Sequence, residues 1–361
     1  MNTPQFKRLV VKVGSNVLTD KNGQLDVDII SSIVDQVAAL HNKGVEVLLI
    51  SSGAVAAGRA LVHTSKKMDP VDQRQLFSAV GQVQLINLYF NLFQKKGLIS
   101  GQVLTTKENF KSRRHYLNQK NCMSVMLEHN VIPIINENDT ISVTELMFTD
   151  NDELSGLIAS MMDAEALIIL SNIDGIYDGN PSLPESRVIP IIKPDTDLRS
   201  FIASGKSTFG RGGMLTKSNI ARKVAEEGIP VFIANGKRFN ILTDLVEQTE
   251  SVPHTRFEAY SKTSSAVKKW IAHSEGFAKG KVFVNEGCML ALQRNKASSI
   301  LPVGITKISG SFEKGDIVRI YDPEGNSIGV GKAQYGSQTA TEVVGKKGER
   351  PLVHYDYLYL D

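Results

Sequence analysis

VEVLLISSGAVAAG, residues 45–58, combines two patterns that together decide the fold. Its apolar run VEVLLI (45–50) predicts a buried β-strand, and the small residues SSGA (51–54) lead from that strand into a helix. The apolar residues of segment 29–40 recur at spacings of one, three and four, which predicts an amphipathic helix ended by Gly44. Helix, strand and helix therefore follow one another along this part of the chain.

Further apolar runs continue the same alternation on both sides of this segment. They are LVVKV (9–13), VIPII (131–135), ALIIL (166–170) and VFIA (231–234), and helical patterns lie between them. Apolar strands that alternate with helices are typical of βαβ units. The sequence therefore predicts an α/β fold, with an open, mostly parallel sheet and helices on both of its faces.

The character of the chain changes after residue 258. A polar stretch rich in Ser and Lys, residues 259–278, predicts a linker that leads into a short helix. The segments that follow, KVFVNEG, SILPVGITKISG, GDIVRIYDPEG and SIGVGKAQYGS, are short, β-rich and separated by glycines, and predict a small β-barrel. The predicted organisation is one domain over 1–258, a linker over 259–278 and a second domain over 279–361.

Composition and charge exclude several classes of protein. With 42% hydrophobic and 22% charged residues, the chain has the composition of a soluble globular protein, and no apolar run approaches the length of a membrane span. Two distant cysteines and the absence of a signal peptide indicate a reducing cytoplasm, and the scattered histidines make a transition-metal site improbable. The net charge is +3, with +2 over 279–361, which argues against strong nucleic-acid binding.

Polar residues follow four of the predicted strands. The strands end in KVGSN, SSGAVAAG, NENDT and SNIDGIYDGNP. In an open parallel sheet ligands bind at the carboxyl ends of the strands, so four such ends predict a polar site along one edge.

Two strand ends carry features suited to an anion. Lys12 lies inside the first strand between valines, where a lysine is costly to bury without an anionic partner; a lysine that reaches solvent at a sheet edge is the alternative. The residues SSGA (51–54) offer backbone N–H groups ahead of a helix, which suits a carboxylate or a phosphate, and a tight strand–helix turn explains them equally well.

The segments INENDT (135–140) and TDNDELSG (149–156) form a dense group of carboxylates and amides. Asp139, Asp150 and Asp152 lie among asparagines that include Asn151. Carboxylates bind ammonium groups, orient lysines and help to hold Mg²⁺. A helix N-cap with acidic residues in the first turn also explains TDNDELSG, and we expect both interpretations to hold.

GRGGMLTK, residues 210–217, resembles a phosphate-binding loop but lacks the Walker pattern. Its glycines allow backbone N–H groups to approach phosphates, and Lys217 is able to reach transferring oxygens. Together, Lys12 and Lys217 would neutralise the charge that develops on a phosphoryl group during transfer. Protein-kinase motifs and a nucleophile–histidine pair are missing from the sequence, so direct in-line transfer between bound substrates is the chemistry that these residues favour.

Several motifs, taken together, resemble one family over nearly the whole chain. They are KVGSNVLT, SSGAVAAGR, AVGQ (79–82), VIPIINENDT, DNDELSG, GGMLTK and, later, VNEG, ILPVGI and FEKGDIVRI. The chain is similar to the glutamate 5-kinase family of the amino acid kinase superfamily, whose members carry a C-terminal PUA domain. The resemblance implies transfer of the ATP γ-phosphoryl group to the side-chain carboxylate of L-glutamate, the first step of proline biosynthesis.

The resemblance also implies roles for individual residues. Lys12 and Lys217 would stabilise the transferring phosphoryl group, and Asp152 would hold both lysines. The substrate-binding residues would be Ser52, Gly53, Ala54, Asp139, Asn151 and Asp150, of which Asp150 would assist with substrate or with a Mg²⁺ ion held mainly by the nucleotide. The ATP contacts would come from Lys12, Ser171, Asn172, Arg211, Gly212, Gly213, Met214, Leu215, Thr216 and Lys217.

The chain departs from the family pattern near the nucleotide. The family commonly has Thr-Asp in place of Ser171-Asn172, and Thr in place of Arg211. We expect Arg211 to add a phosphate contact, in which case Arg211→Thr raises the Michaelis constant for ATP.

The resemblance also implies that the chain forms a homo-oligomer, a dimer or a tetramer. It implies proline as a feedback inhibitor and glutamyl phosphate reductase as the next enzyme. Two alternatives stay open at this point. One is RNA binding through residues 279–361, and the other is a sibling kinase that acts on a different acid.

Overall fold

The computed structural model describes residues 5–63, 68–111, 113–142, 148, 150–181, 183–194, 196, 214–247, 252–260, 278–294 and 298–360. The chain divides into two compact units, Met1–Thr263 and Ser264–Asp361. Most of the predicted linker, residues 259–278, lies outside the described residues. Its bounds, and with them the domain limits at 258 and 279, stay predictions.

The first unit contains an eight-stranded sheet with the strand order β3-β4-β2-β1-β5-β7-β8-β6. In chain order its strands are β1 (Arg8–Val13), β2 (Glu46–Ser51), β3 (Ile99–Thr105), β4 (Val131–Glu137), β5 (Ala166–Ser171), β6 (Ile191–Ile192), β7 (Val231–Asn235) and β8 (His254–Phe257). All of its pairings are parallel except that of β7 with β8. The predicted mostly parallel α/β sheet is confirmed.

Helices connect these strands in the first unit. They are α1 (Ser15–Leu18), α2 (Val27–Asn42), α3 (Ala54–Leu61), α4 (Pro70–Lys95), α5 (Lys107–Lys111), α6 (Arg113–Glu128), α7 (Asn151–Met161), α8 (Met214–Glu226) and α9 (Ile241–Glu247).

The side chains of strand β1 alternate between the hydrophobic core on one face of the sheet and the opposite face, where Lys12 lies. Leu9, Val11 and Val13 belong to the core that α2 and α4 cover. Lys12 points to the opposite face, because successive side chains of a strand alternate. Helix α7 packs against β1, so the fold brings Lys12 towards the residues that begin α7.

Helix α4 is the one described helix that is long and apolar enough to cross a membrane by length and composition. Its side chains Leu85, Tyr89 and Phe93 are buried in the core of the first unit together with residues of α2. A core helix of a folded domain meets the same criteria of length and composition.

Helices α3 and α4 approach each other closely at two glycines. A Cβ atom on Gly58 would lie 1.8 Å from the Phe77 carbonyl oxygen, and one on Gly81 would lie 1.8 Å from the Ala54 carbonyl oxygen. Neither position has room for a side chain, so the glycines set the distance between the two helices. The motif AVGQ (79–82) therefore has a packing function at Gly81.

The second unit has its own sheet and its own core. The strands are β9 (Gly280–Val284), β10 (Ile305–Gly310), β11 (Ile317–Tyr321), β12 (Ser327–Ala333) and β13 (Val353–Leu360), and the helices are α10 (Glu286–Arg294) and α11 (Ser337–Val343). The strand order is β10-β9-β11-β12-β13, and the pairings are antiparallel except that of β9 with β11. The second unit is therefore a small β domain with a sheet of its own, as predicted, while closure of that sheet into a barrel stays a prediction.

Candidate active site

The four polar strand ends predicted from the sequence are neighbours in the sheet. Strands β4, β2, β1 and β5 lie side by side in that order and run parallel. Their carboxyl ends therefore meet at one edge, where the segments that follow them converge. The expectation of a single polar edge is confirmed.

A buried ion-pair triad lies at this edge. The Lys12 Nζ atom is 2.5 Å from Asp152 Oδ1, and the Lys217 Nζ atom is 2.7 Å from Asp152 Oδ2. Asp152 is fully buried, and the side chains of Lys12 and Lys217 are 5% and 13% exposed. One carboxylate thus holds two ammonium groups that come from β1 and from the first turn of α8.

The triad has an electrostatic consequence for Asp152. Burial alone would raise the pKa of its carboxyl group, but Lys12 and Lys217 outweigh burial and lower the pKa to about 2. The carboxylate is therefore ionised at neutral pH. With two lysines around one carboxylate, the triad carries a net positive charge when all three groups are ionised, and it is suited to binding an anion.

Asp150 caps the helix that carries Asp152. Its Oδ1 atom accepts hydrogen bonds from the backbone N–H groups of Asp152 at 2.7 Å and Glu153 at 3.4 Å. This is the N-cap predicted from TDNDELSG. Burial and the charge of Asp152 raise the pKa of Asp150 to about 6, against the opposing effect of the two lysines.

The turn after β2 places backbone N–H groups near the triad. Gly53 has φ = +106°, a left-handed conformation that favours glycine, and Ala54 is the buried first residue of α3. The Ser52 N–H group donates to the Val13 carbonyl at 3.2 Å, which ties this turn to the end of β1.

A chain of hydrogen bonds joins the β2, β4 and α7 ends. Asn151 Nδ2 donates to Ser52 Oγ at 2.9 Å and to Asn136 Oδ1 at 3.0 Å. Asn136 Nδ2 in turn donates to Gln82 Oε1 of α4 at 2.9 Å. The predicted residues Ser52 and Asn151 are therefore direct neighbours.

Asp139 lies in the turn after β4 and pairs with Arg74. The Arg74 Nε atom donates to Asp139 Oδ1 at 2.8 Å. Burial raises the pKa of Asp139, and Arg74 opposes that rise. A carboxylate in this position, close to Asn136 in the chain, is a suitable partner for an ammonium group.

The predicted nucleotide-binding residues are only partly described. Ser171 is the buried last residue of β5, and Asn172, which follows it, is exposed. Met214, Leu215, Thr216 and Lys217 form the first turn of α8. Arg211, Gly212 and Gly213 lie outside the described residues. The structure brings Lys12 and Lys217 together on Asp152, and the roles assigned to them stay predictions.

Comparisons with known proteins give matches to both units of the chain. The family model described as "Amino acid kinase family" matches residues 7–235, and the model described as "PUA domain" matches residues 280–355. The chain is 65% identical over 357 residues to glutamate 5-kinase of Bacteroides thetaiotaomicron, with 99% of each chain covered. It is 48% identical to glutamate 5-kinase of Chlorobaculum tepidum, with 99% of this chain and 98% of the relative covered. Glutamate 5-kinase of Trichlorobacter lovleyi is 40% identical, with 98% of this chain and 94% of the relative covered.

The chain belongs to the glutamate 5-kinase family.

Sequence reasoning missed two charged residues at the site of this glutamate 5-kinase family member. The sequence gives no signal at Arg74, because an arginine near the start of a helix is usually a solvated residue. Glu137, within INENDT, is buried at the end of β4. Its signal was a carboxylate directly after an apolar run, where an unpaired charge is costly.

Proposed function

We propose that this glutamate 5-kinase family member transfers the γ-phosphoryl group of ATP to the side-chain carboxylate of L-glutamate and forms L-glutamyl 5-phosphate. This is the first step of proline biosynthesis. The observation that carries the proposal is the buried Lys12–Asp152–Lys217 triad at the edge where the polar strand ends meet.

The transfer proceeds in line between the two bound substrates. A carboxylate oxygen of glutamate attacks the γ-phosphorus, a new O–P bond forms, and the bond to the oxygen bridging the β- and γ-phosphates breaks as ADP leaves. Lys12 and Lys217 stabilise the charge on the transferring group, and Asp152 fixes both ammonium groups. Because Asp152 stays ionised at neutral pH, the lysines are held in place before substrate arrives.

The substrate contacts follow from the turns around the triad. The reacting carboxylate of glutamate lies by the backbone N–H groups of Gly53 and Ala54, next to Lys12. The other end of glutamate binds Ser52, Asn151 and Asp139. ATP binds between Ser171–Asn172 and the segment Arg211–Lys217.

Mg²⁺ accompanies ATP in this proposal. The described residues contain no group of three or more His, Cys, Asp and Glu side chains that could hold a metal ion. Mg²⁺ is usually bound through substrate phosphates and one or two carboxylates, so this donor set fits an ion held mainly by the nucleotide. Asp150 is the carboxylate that would assist it.

The test is an ATP/Mg²⁺ assay with L-glutamate in which hydroxylamine traps the acyl phosphate. We expect hydroxamate from the wild-type protein and none from Lys217→Ala. Proline added to the same assay tests feedback inhibition. If a folded, ATP-binding protein forms no hydroxamate from glutamate, the substrate assignment is wrong, and the acids used by sibling kinases become the next candidates.

Self-association is part of the proposal. Strand β3 is an edge strand of the sheet, and the exposed side chains of Val83, Phe90 and Ile99 lie on β3 and the adjoining helix α4. Exposed apolar residues beside an edge strand suit an interface between copies. Light scattering with size-exclusion chromatography distinguishes monomer, dimer and tetramer.

A second candidate function, RNA binding, is favoured by one face of the C-terminal sheet. Phe283 and Tyr321 are stacked with centroids 5.0 Å apart, and Lys307 and Lys281 lie over these two rings at 5.6 and 5.7 Å. Aromatic side chains interleaved with cations suit stacked bases and phosphates. A salt-sensitive gel shift of single-stranded RNA that is lost in Phe283→Ala would support this function.

A further inference from the structure

Arg74, on the second turn of α4, bridges two carboxylates that are almost entirely out of water. Its Nη2 atom lies 2.5 Å from Asp139 Oδ1 and 3.1 Å from Glu137 Oε2, and its Nε atom donates to the same Asp139 oxygen at 2.8 Å. The side chains are 24% exposed for Arg74, 9% for Asp139 and 3% for Glu137. One guanidinium group therefore fixes the relative position of both carboxylates.

Other contacts hold the same segment to α4 and to the chain beyond it. Glu137 Oε1 accepts a hydrogen bond from the Phe148 N–H group at 2.9 Å. Gln75 Nε2 donates to the Thr140 carbonyl at 2.7 Å, one residue beyond Asp139. Hydrogen bonds from α4 and from Phe148 thus hold the segment from Glu137 to Thr140.

The net charge of the cluster formed by Arg74, Asp139 and Glu137 determines the charge of the ligand group that it binds. With both carboxylates ionised, Arg74, Asp139 and Glu137 together carry a net charge of −1. Burial is the largest influence on both carboxyl groups and raises their pKa values. The charged neighbours are Arg74, which lowers both pKa values, and Asp139, which raises the pKa of Glu137. A buried net charge of −1 is complementary to one ammonium group.

We propose that Arg74 is a positioning residue for the amino group of the substrate: it holds Asp139 and Glu137 together and leaves this cluster one negative charge, which selects a free amino acid over an N-acylated one. The inference rests on the proposed function and adds to it two residues, Arg74 and Glu137, together with the part of the substrate that they recognise.

The test measures steady-state kinetics of Arg74→Gln with the full chain at pH 7 and pH 9. We expect the KM for glutamate to rise about 10- to 100-fold at pH 7, the loss typical of a charge-assisted hydrogen bond. The KM for ATP and kcat stay near the wild-type values. Without the guanidinium, the pKa values of the two carboxyl groups rise further, so a proton competes with the ammonium group at pH 7 and the KM falls towards the wild-type value at pH 9.

Two variants complete the design. Arg74→Lys keeps the charge but cannot bridge both carboxylates with one planar group, so its KM for glutamate lies between those of wild type and Arg74→Gln. Arg8→Gln is the matched control, because Arg8 also pairs with a carboxylate, Glu46, at 2.6 Å and is 31% exposed at the start of β1. Its KM for glutamate stays unchanged at both pH values.

The outcomes separate this inference from the proposed function. If the wild-type protein forms hydroxamate from glutamate but Arg74→Gln has an unchanged KM, or the same increase at pH 7 and pH 9, the inference is overturned and the function stands. If Arg74→Gln fails to fold, Arg74→Lys decides: a KM for glutamate equal to the wild-type value overturns the inference. A wild-type protein that forms no hydroxamate overturns both.

Discussion

At the scale of single residues, Asp152 is the member of the triad whose replacement by a neutral isostere should cost both stability and activity. Asp152 is fully buried between two lysines, each within 2.7 Å. Removing one partner of a buried ion pair leaves charge without compensation, which is far more costly than losing an exposed pair. The stability and the activity of the protein therefore depend on the same carboxylate.

Asp152→Asn is expected to lower the free energy of unfolding by about 3–5 kcal/mol. Because the two lysines lose the group that positions them, kcat is expected to fall at least about 100-fold. Urea unfolding at pH 7 and the hydroxamate assay measure the two effects. Asp163→Asn is the control, since Asp163 is half-exposed and pairs with Lys120 on the surface. An Asp152→Asn protein with wild-type kcat would contradict the role of the triad.

Replacing Asp150 by Asn is expected to stabilise the protein, whereas replacing Asp152 by Asn is expected to destabilise it. Its pKa in the folded protein is raised from 3.8 to about 6, so between these pH values the folded state binds the proton more tightly than the unfolded state. Stability therefore falls as pH rises through this window, and the cost persists at pH 7. Asn serves equally well as an N-cap.

Asp150→Asn is accordingly expected to raise the free energy of unfolding at pH 7 by about 1–3 kcal/mol. The gain shrinks as pH falls and disappears below pH 4, where the wild-type carboxyl group is protonated in both states. Urea unfolding at pH 7, 5.5 and 4 measures this dependence. Equal stability of the two proteins at pH 7 would show that Asp150 carries no such cost.

At the scale of elements, the contact of α3 with α4 couples packing to the site. The Ala54 carbonyl that Gly81 approaches is in the first residue of α3, directly after the β2 turn. Helix α4 also carries Gln82, which contacts Asn136 near the end of β4, and Arg74, which contacts Asp139 in the following turn. Helix α4 thus supports both turns that are proposed to bind glutamate. A shift of α4 would therefore displace the residues that are proposed to bind glutamate.

Gly81→Ala is expected to destabilise the protein by about 1–3 kcal/mol, because its Cβ atom would overlap the Ala54 carbonyl. The KM for glutamate should rise as the turn after β2 is displaced. Thermal unfolding and kinetics check the two effects. Gly287→Ala is the control: it also lies in a helix, and the nearest atom to its Cβ would be 3.5 Å away. Equal stability of both variants would refute the packing argument.

At the scale of the whole molecule, the two units have separate hydrophobic cores. The core around β1 and α2 and the core around β9 and β11 are each built from residues of one unit. Since burial of apolar surface is the main source of stability, each unit has its own driving force for folding.

A chain that ends at residue 263 is therefore expected to fold cooperatively without the second unit. Circular dichroism during thermal unfolding of this shortened chain is the measurement, with the full chain as reference. A single sigmoidal transition is the expected result. A chain that shows no transition would mean that the first unit requires residues 264–361.

The fold class and most of the residues that meet at the sheet edge are predictable from the amino-acid pattern alone. Buried strands such as β1, β2 and β5 consist mainly of apolar residues, so their pattern is visible without any knowledge of their neighbours. Strand β3, ISGQVLT, was missed because an edge strand that is largely exposed has no such pattern. The strand ends could be predicted to converge because parallel strands share one direction.

The pairing of the charged groups, by contrast, follows from the packing of the folded chain. Lys12, Asp152 and Lys217 come from three elements that are far apart in the chain, and Arg74 reaches Asp139 and Glu137 across another 63–65 residues. The energy of an ion pair depends on distance and burial, and both arise only when helices pack on the sheet. The sequence therefore specified the charged groups, and the packing of α4, α7 and α8 decided which of them neutralise one another.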